Sequence, residues 1–293
     1  MAGRFLASGY TGPPPLTPSG ALTSWRLDLL VLLVVLVLAG LYLTGVRRVR
    51  RRTGQPWPPG RTVAFLAGGL GTLVLATMGF PGVYEGVLFW ARAVQTVLLL
   101  LVVPLFLTMG GPLSLVAAAR PGTASRIDAA LGSRVARALT FPAVTALVLV
   151  VTPFLFYFTS WYEAGLRSAP VAELTHLALI VPGLVFFWTL LRVDPVPRAY
   201  PYLVALWVTG VEVVGDAILG LAVLADEHLI AGGFYQALAR PWGPSLRTDQ
   251  VLGGGALWIL GDLVGLPFLA AQFIQMLRED DREAIRVDAE LDA

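Results

Sequence analysis

Apolar residues along this chain come in long blocks, parted by short polar or arginine-bearing stretches. A block of about 20 apolar residues crosses the ~30 Å hydrocarbon layer as a helix. Seven such blocks occur: Asp28 to Val46, Thr62 to Gly79, Trp90 to Met109, Phe141 to Phe158, Pro170 to Arg192, Tyr202 to Leu224 and Val251 to Leu277. The short alternating segments of a membrane β-barrel are absent. The pattern therefore predicts an all-α fold, a polytopic bundle of seven transmembrane helices. Residues 1–25, rich in Gly, Pro, Ser and Thr, form a polar tail, and the single Arg4 makes a poor signal-peptide start. Residues 26–277 form one membrane domain, and 278–293 a charged tail. Between spans three and four, Ala124 to Ala138 has the pattern of a short amphipathic surface helix.

Composition agrees: 56% hydrophobic and 14% charged residues exclude a water-soluble domain. The net charge of +2 matters less than its placement. All 21 basic residues are arginine, and 15 of them follow spans one, three, five and seven. The run Arg47-Arg48-Val49-Arg50-Arg51-Arg52 closes the first span. By the positive-inside rule these ends face the cytoplasm, so the amino terminus is expected outside and the carboxyl terminus inside. Topology accounts for the basic runs, and nucleic-acid binding is not expected. The lack of cysteine excludes disulfides, thiolate metal sites and redox dithiols.

Several polar groups fall inside the predicted slab, where they should face the bundle interior or a wet cavity. Arg92 and Gln95 open the third span, Glu173 and His176 the fifth. Each pair is three residues apart, hence on one face. Glu212 and Asp216 share a face of the sixth, and Asp262 lies in the seventh with Gln272 and Gln275 beyond it. Arg92, Glu173, His176 and Asp216 have a common depth near the outer surface and are expected to converge. His176, Glu173 and Asp216 are the candidate metal ligands; Arg92, Gln95, Glu212 and Asp262 complete the polar cluster. His228, in Asp226-Glu227-His228, reads as a solvated loop residue as readily as a ligand. Gly68, Gly69, Gly71 and Gly261-x-x-x-Gly265 read as close helix contacts. The aqueous loops carry no nucleophile motif, Walker loop or dinucleotide fingerprint, so an enzyme is not expected.

The order of several stretches resembles the CtaG-type cytochrome c oxidase assembly factors. They are Gln95 with the apolar run to Pro104 and Gly110-Gly111-Pro112; Trp161 to Arg167; Glu173 to His176 with Phe187-Trp188; Asp194-Pro195-Val196-Pro197-Arg198; Pro241-Trp242-Gly243; Asp249-Gln250; and Gly254-Gly255 before Trp258. Together they reach from Thr62 to Arg282. The resemblance implies a seven-span protein of the bacterial plasma membrane that assists copper-centre assembly of the oxidase. Its implied partners are oxidase subunits or a copper carrier, besides membrane lipids. Copper is the cofactor it implies, but the family's histidines flanking the Gln95 motif correspond to Arg92 and Thr96 here, and another to Ala172. Only His176 carries over, so a degenerate metal site is expected. The competing expectation is a proton- or cation-coupled transporter or channel. A continuous polar line through Glu212, Asp216, Asp262 and Glu173 would mark it.

Overall fold

The computed structural model describes residues 10–291, with side chains described as far as Arg278. All of its regular structure is helical. Among the described residues, six helices are long and apolar enough to cross a membrane: Leu29–Thr53, Pro59–Tyr84, Phe89–Ala119, Ala169–Leu191, Tyr202–Ala225 and Leu246–Arg278. A bent pair, Pro142–Phe158 and Ser160–Arg167, at 69° to each other, is long and apolar enough only when taken together. Counted as one, it completes seven spans.

Local chemistry explains the ends. Asp28 accepts a hydrogen bond from the Val31 backbone N–H at 3.0 Å and so starts the first span. The same helix ends on Arg50, Arg51 and Arg52, whose charges favour its negative pole, and stops at Gly54 in the left-handed region. Pro59 occupies the first turn of the second span, where its missing N–H costs nothing. Asp194, after the fifth span, accepts from Leu113 and Ser114 at 2.9 and 2.7 Å. It thereby caps the helix that begins at Pro112 and ties two distant sequence stretches together.

The third span is central. Two-thirds of its most apolar window is buried, against 11% for the first span. A π-helical turn at Leu98–Val102 precedes Pro104 in this helix. Pro104 has no N–H to offer the Leu100 carbonyl, a bond an ordinary helix would make. Gly183 of the fifth span presses on that carbonyl: a β-carbon there would come within 2.0 Å of the Leu100 oxygen. The sixth and seventh spans meet in the same way, with Gly220 and Gly254 each against the other's carbonyl.

The structure corrects several boundaries. The chain turns at Thr159, whose hydroxyl accepts from the Trp161 N–H at 3.2 Å. This carries Tyr162 into the core, where it is 1% exposed. The expected surface helix is two, Pro121–Leu131 and Arg134–Leu139, because Ser133 caps a new start through Ala136. The last helix begins at Leu246 and continues to Leu291, so the charged tail prolongs the seventh span. Of the polar amino-terminal tail, residues 1–9 and their Arg4 lie outside the described residues. The remainder is tethered: Tyr84 donates to the Pro14 carbonyl at 3.0 Å, and Tyr10 packs edge-on against Trp242.

Candidate functional site: an arginine-centred ion-pair cluster

Three helix starts and one loop build the site. Arg92 lies one turn into the third span and is 2% exposed. Its Nη1 donates to Glu85 Oε2 at 2.5 Å and to Gln95 Oε1 at 2.8 Å. Gln95 in turn donates to the Ala76 carbonyl of the second span at 3.0 Å. Thr96 closes the next turn, donating to the Arg92 carbonyl and sharing a hydrogen bond with Tyr157, each at 2.9 Å. The guanidinium carbon lies 5.2 Å from the centre of the Phe156 ring, a cation–π distance.

Glu85, in the short loop between the second and third spans, links everything. Its other oxygen meets Arg26 Nη2 at 2.7 Å, and Arg26 Nε donates to the Thr77 carbonyl at 2.8 Å. His176 Nε2 is 3.8 Å from Glu85, and its Nδ1 is 3.4 Å from Glu173. Among the described residues, neither ring nitrogen has a hydrogen-bond partner, nor do Arg92 Nε and Nη2. Burial by itself would raise the Glu85 carboxyl, but His176, Arg92 and Arg26 outweigh it and hold the group well below the usual carboxylate range. A cavity of about 650 Å³ opens beside the cluster, lined by Arg26, Asp28, Glu85, Arg92, Arg167 and Glu173.

The structure thus brings Arg92, Gln95, Glu173 and His176 together, around an acid absent from the sequence expectation. Glu85 has a readable signal after all. It is the only carboxylate between Asp28 and Asp128, and it precedes Arg92 by seven residues.

Asp216 does not join this group, and that expectation is corrected. It and Glu212 face the seventh span, over Gly261 and Gly265. A β-carbon at 261 would come within 2.4 Å of Asp216 Oδ2, and one at 265 within 3.1 Å of Glu212 Oε2. The two glycines make room for carboxyl groups as well as for a close helix contact. Asp262 Oδ1 has no hydrogen-bond partner among the described residues, while Gln272 accepts from Thr209 at 3.1 Å. No arginine reaches these acids within 4 Å among the described residues. Since Asp216 faces Gly261, the trio His176, Glu173 and Asp216 does not form one site. Nor do any three His, Asp or Glu side chains among the described residues assemble as a metal-holding group. His228 is 97% exposed on its loop.

Other stretches that carried the resemblance are tie points. Asp249 accepts from the Trp90 N–H at 3.0 Å and pairs with Arg240 at 3.2 Å. Gln250 accepts from Ile230 and donates to the His228 carbonyl, fastening the loop between the last two spans to the last helix.

The chain was compared with known proteins. The family described as cytochrome c oxidase caa3 assembly factor (Caa3_CtaG) matches residues 40–279. Uncharacterised proteins of Mycobacterium bovis and Mycobacterium tuberculosis are each 30% identical to it over 293 residues, covering 97% of this chain and 44% of the relative. A Mycobacterium leprae protein, likewise uncharacterised, is 29% identical over the same shares. The chain therefore spans less than half the length of these curated relatives. No solved structure matches it. The match over residues 40–279 places the chain in the cytochrome c oxidase caa3 assembly factor family.

Proposed function

We propose that this protein assists assembly of a cytochrome c oxidase in a bacterial plasma membrane by contacting oxidase subunits or a separate copper carrier, retaining little copper itself. The observation that carries this reading is the engagement of Arg92 with Glu85. Where the family resemblance places a neutral nitrogen donor, this chain has a permanent cation 2.5 Å from the nearest buried carboxylate. A guanidinium neutralises the charge a metal would use and repels a cation directly. His176 contributes one imidazole, too few soft or nitrogen donors for copper. The residues do not fit a resident copper ion, and no step is assigned to one.

The position of the acids supports this reading over a proton or cation path. Glu212, Asp216 and Asp262 form a group at the contact of the last two spans. It shares no hydrogen bond or ion pair with the Arg92 cluster among the described residues. A conducting line through Glu212, Asp216, Asp262 and Glu173 would need a bridge between the two groups.

The test is genetic and biochemical. Deletion of the gene should lower the amount of copper-loaded oxidase, and both the wild-type chain and His176→Ala should restore it. Normal oxidase in the deletion strain would end the assembly reading. Rescue by wild type but not by a stably expressed His176→Ala would contradict an imidazole that is dispensable for assembly.

A further inference from the structure

A second cavity lies at the arginine-rich end of the molecule, far along the chain from the cluster above. It has a volume of about 290 Å³ and is walled by the first span and by the helix starting at Pro112. Leu38, Leu41, Leu115 and Val116 make its sides and Phe65 its floor, while Arg48 and Arg120 stand in the lining. The walls are braced. Tyr42 stacks on Phe65 with ring centres 4.1 Å apart and donates to the Gly110 carbonyl at 2.8 Å. Arg52 donates to the Ala119 carbonyl at 3.2 Å. Gly45 lets Leu115 approach, since a β-carbon there would lie 3.0 Å from it.

Both lining arginines are exposed, and neither has a carboxylate within 4 Å among the described residues. An apolar groove between membrane helices, with unpaired guanidiniums at one end, matches a molecule that is itself apolar with an anionic head. We infer that this groove is a binding site for an anionic phospholipid of the leaflet facing the arginine-rich surface. The acyl chain lies along Leu38, Leu41, Leu115 and Val116. The phosphate meets Arg48 and Arg120 through charge-assisted hydrogen bonds. Charge complementarity selects the lipid: a zwitterionic head offers the pair no net charge, and a soluble anion leaves the apolar walls unfilled.

The test uses the full-length protein purified in detergent. Its thermal unfolding is followed with phosphatidylglycerol, phosphatidylcholine or inorganic phosphate added. Phosphatidylglycerol should raise the unfolding temperature, and the other two should not. The double variant Arg48→Gln/Arg120→Gln should bind phosphatidylglycerol roughly thirtyfold more weakly, the loss of two basic residues worth ~1 kcal/mol each at an anionic surface. The double variant Arg134→Gln/Arg137→Gln removes the same charge from the neighbouring surface helix and should keep the effect. Equal stabilisation by phosphatidylcholine or by inorganic phosphate would overturn the inference, as would equal loss in both double variants. Should the first variant fold poorly, native mass spectrometry of the wild type decides. Phosphatidylglycerol retained in preference to phosphatidylcholine supports the site, and no preference refutes it.

Discussion

Glu85 is the residue on which the Arg92 cluster turns. It is anchored between Arg92 and Arg26, and truncating it leaves a guanidinium buried without its charge partner. Breaking a buried pair in this way costs about 3–5 kcal/mol. Glu85→Ala should therefore lower the unfolding temperature in detergent sharply, and Glu85→Gln less, since an amide oxygen still accepts a hydrogen bond. The pH dependence has a definite sign. The folded carboxyl titrates below its unfolded value, so its stabilisation is complete above the ordinary glutamate range and is lost as pH falls below it. Wild-type stability should decline on acidification through that range, and Glu85→Gln should start lower and decline less. An identical acid response in both would show that Glu85 does not carry the linkage. Arg92, Gln95, Glu173 and His176 could be picked out in the sequence because polar groups in apolar blocks are conspicuous. Glu85 falls in a loop, where an acid in the sequence stands out less than one inside an apolar block. The position of Asp216 is not legible in the same way, because depth along a helix says nothing about which face it presents.

Among the elements, the packing of spans depends on where backbones touch. The third and fifth spans meet where Pro104 frees the Leu100 carbonyl and Gly183 has no side chain to block it. Gly183→Ala should force the helices apart and destabilise by about 1–3 kcal/mol, the usual cost of overpacking a tight contact. An unfolding temperature equal to wild type would contradict this geometry. Asp194→Ala removes the cap from the helix at Pro112 and should cost ~1 kcal/mol. The existence and order of the spans were legible, because a run of apolar residues the thickness of a bilayer has few other uses. The bend at Thr159 and the continuation of the last helix to Leu291 were not. Both depend on capping bonds and helix propensity, which hydropathy does not report.

For the whole molecule, the two ends differ in character. Arginines that follow the odd-numbered spans lie at one end, and the Arg92 cluster with its cavity lies at the other. We expect reporter fusions at Gly122 to read cytoplasmic and at Gly233 external, from the arginine asymmetry. The reverse pattern would place the Arg92 cluster on the cytoplasmic side and undo its proposed role. Family membership follows from sequence over most of the chain, whereas the proposed loss of copper binding rests on a few positions that the resemblance marks as departures. The copper content of protein purified from copper-supplemented cells tests that departure most directly. An arginine-occupied site predicts far less than one copper per chain, unchanged by His176→Ala. One copper per chain, lost on His176→Ala, would contradict it.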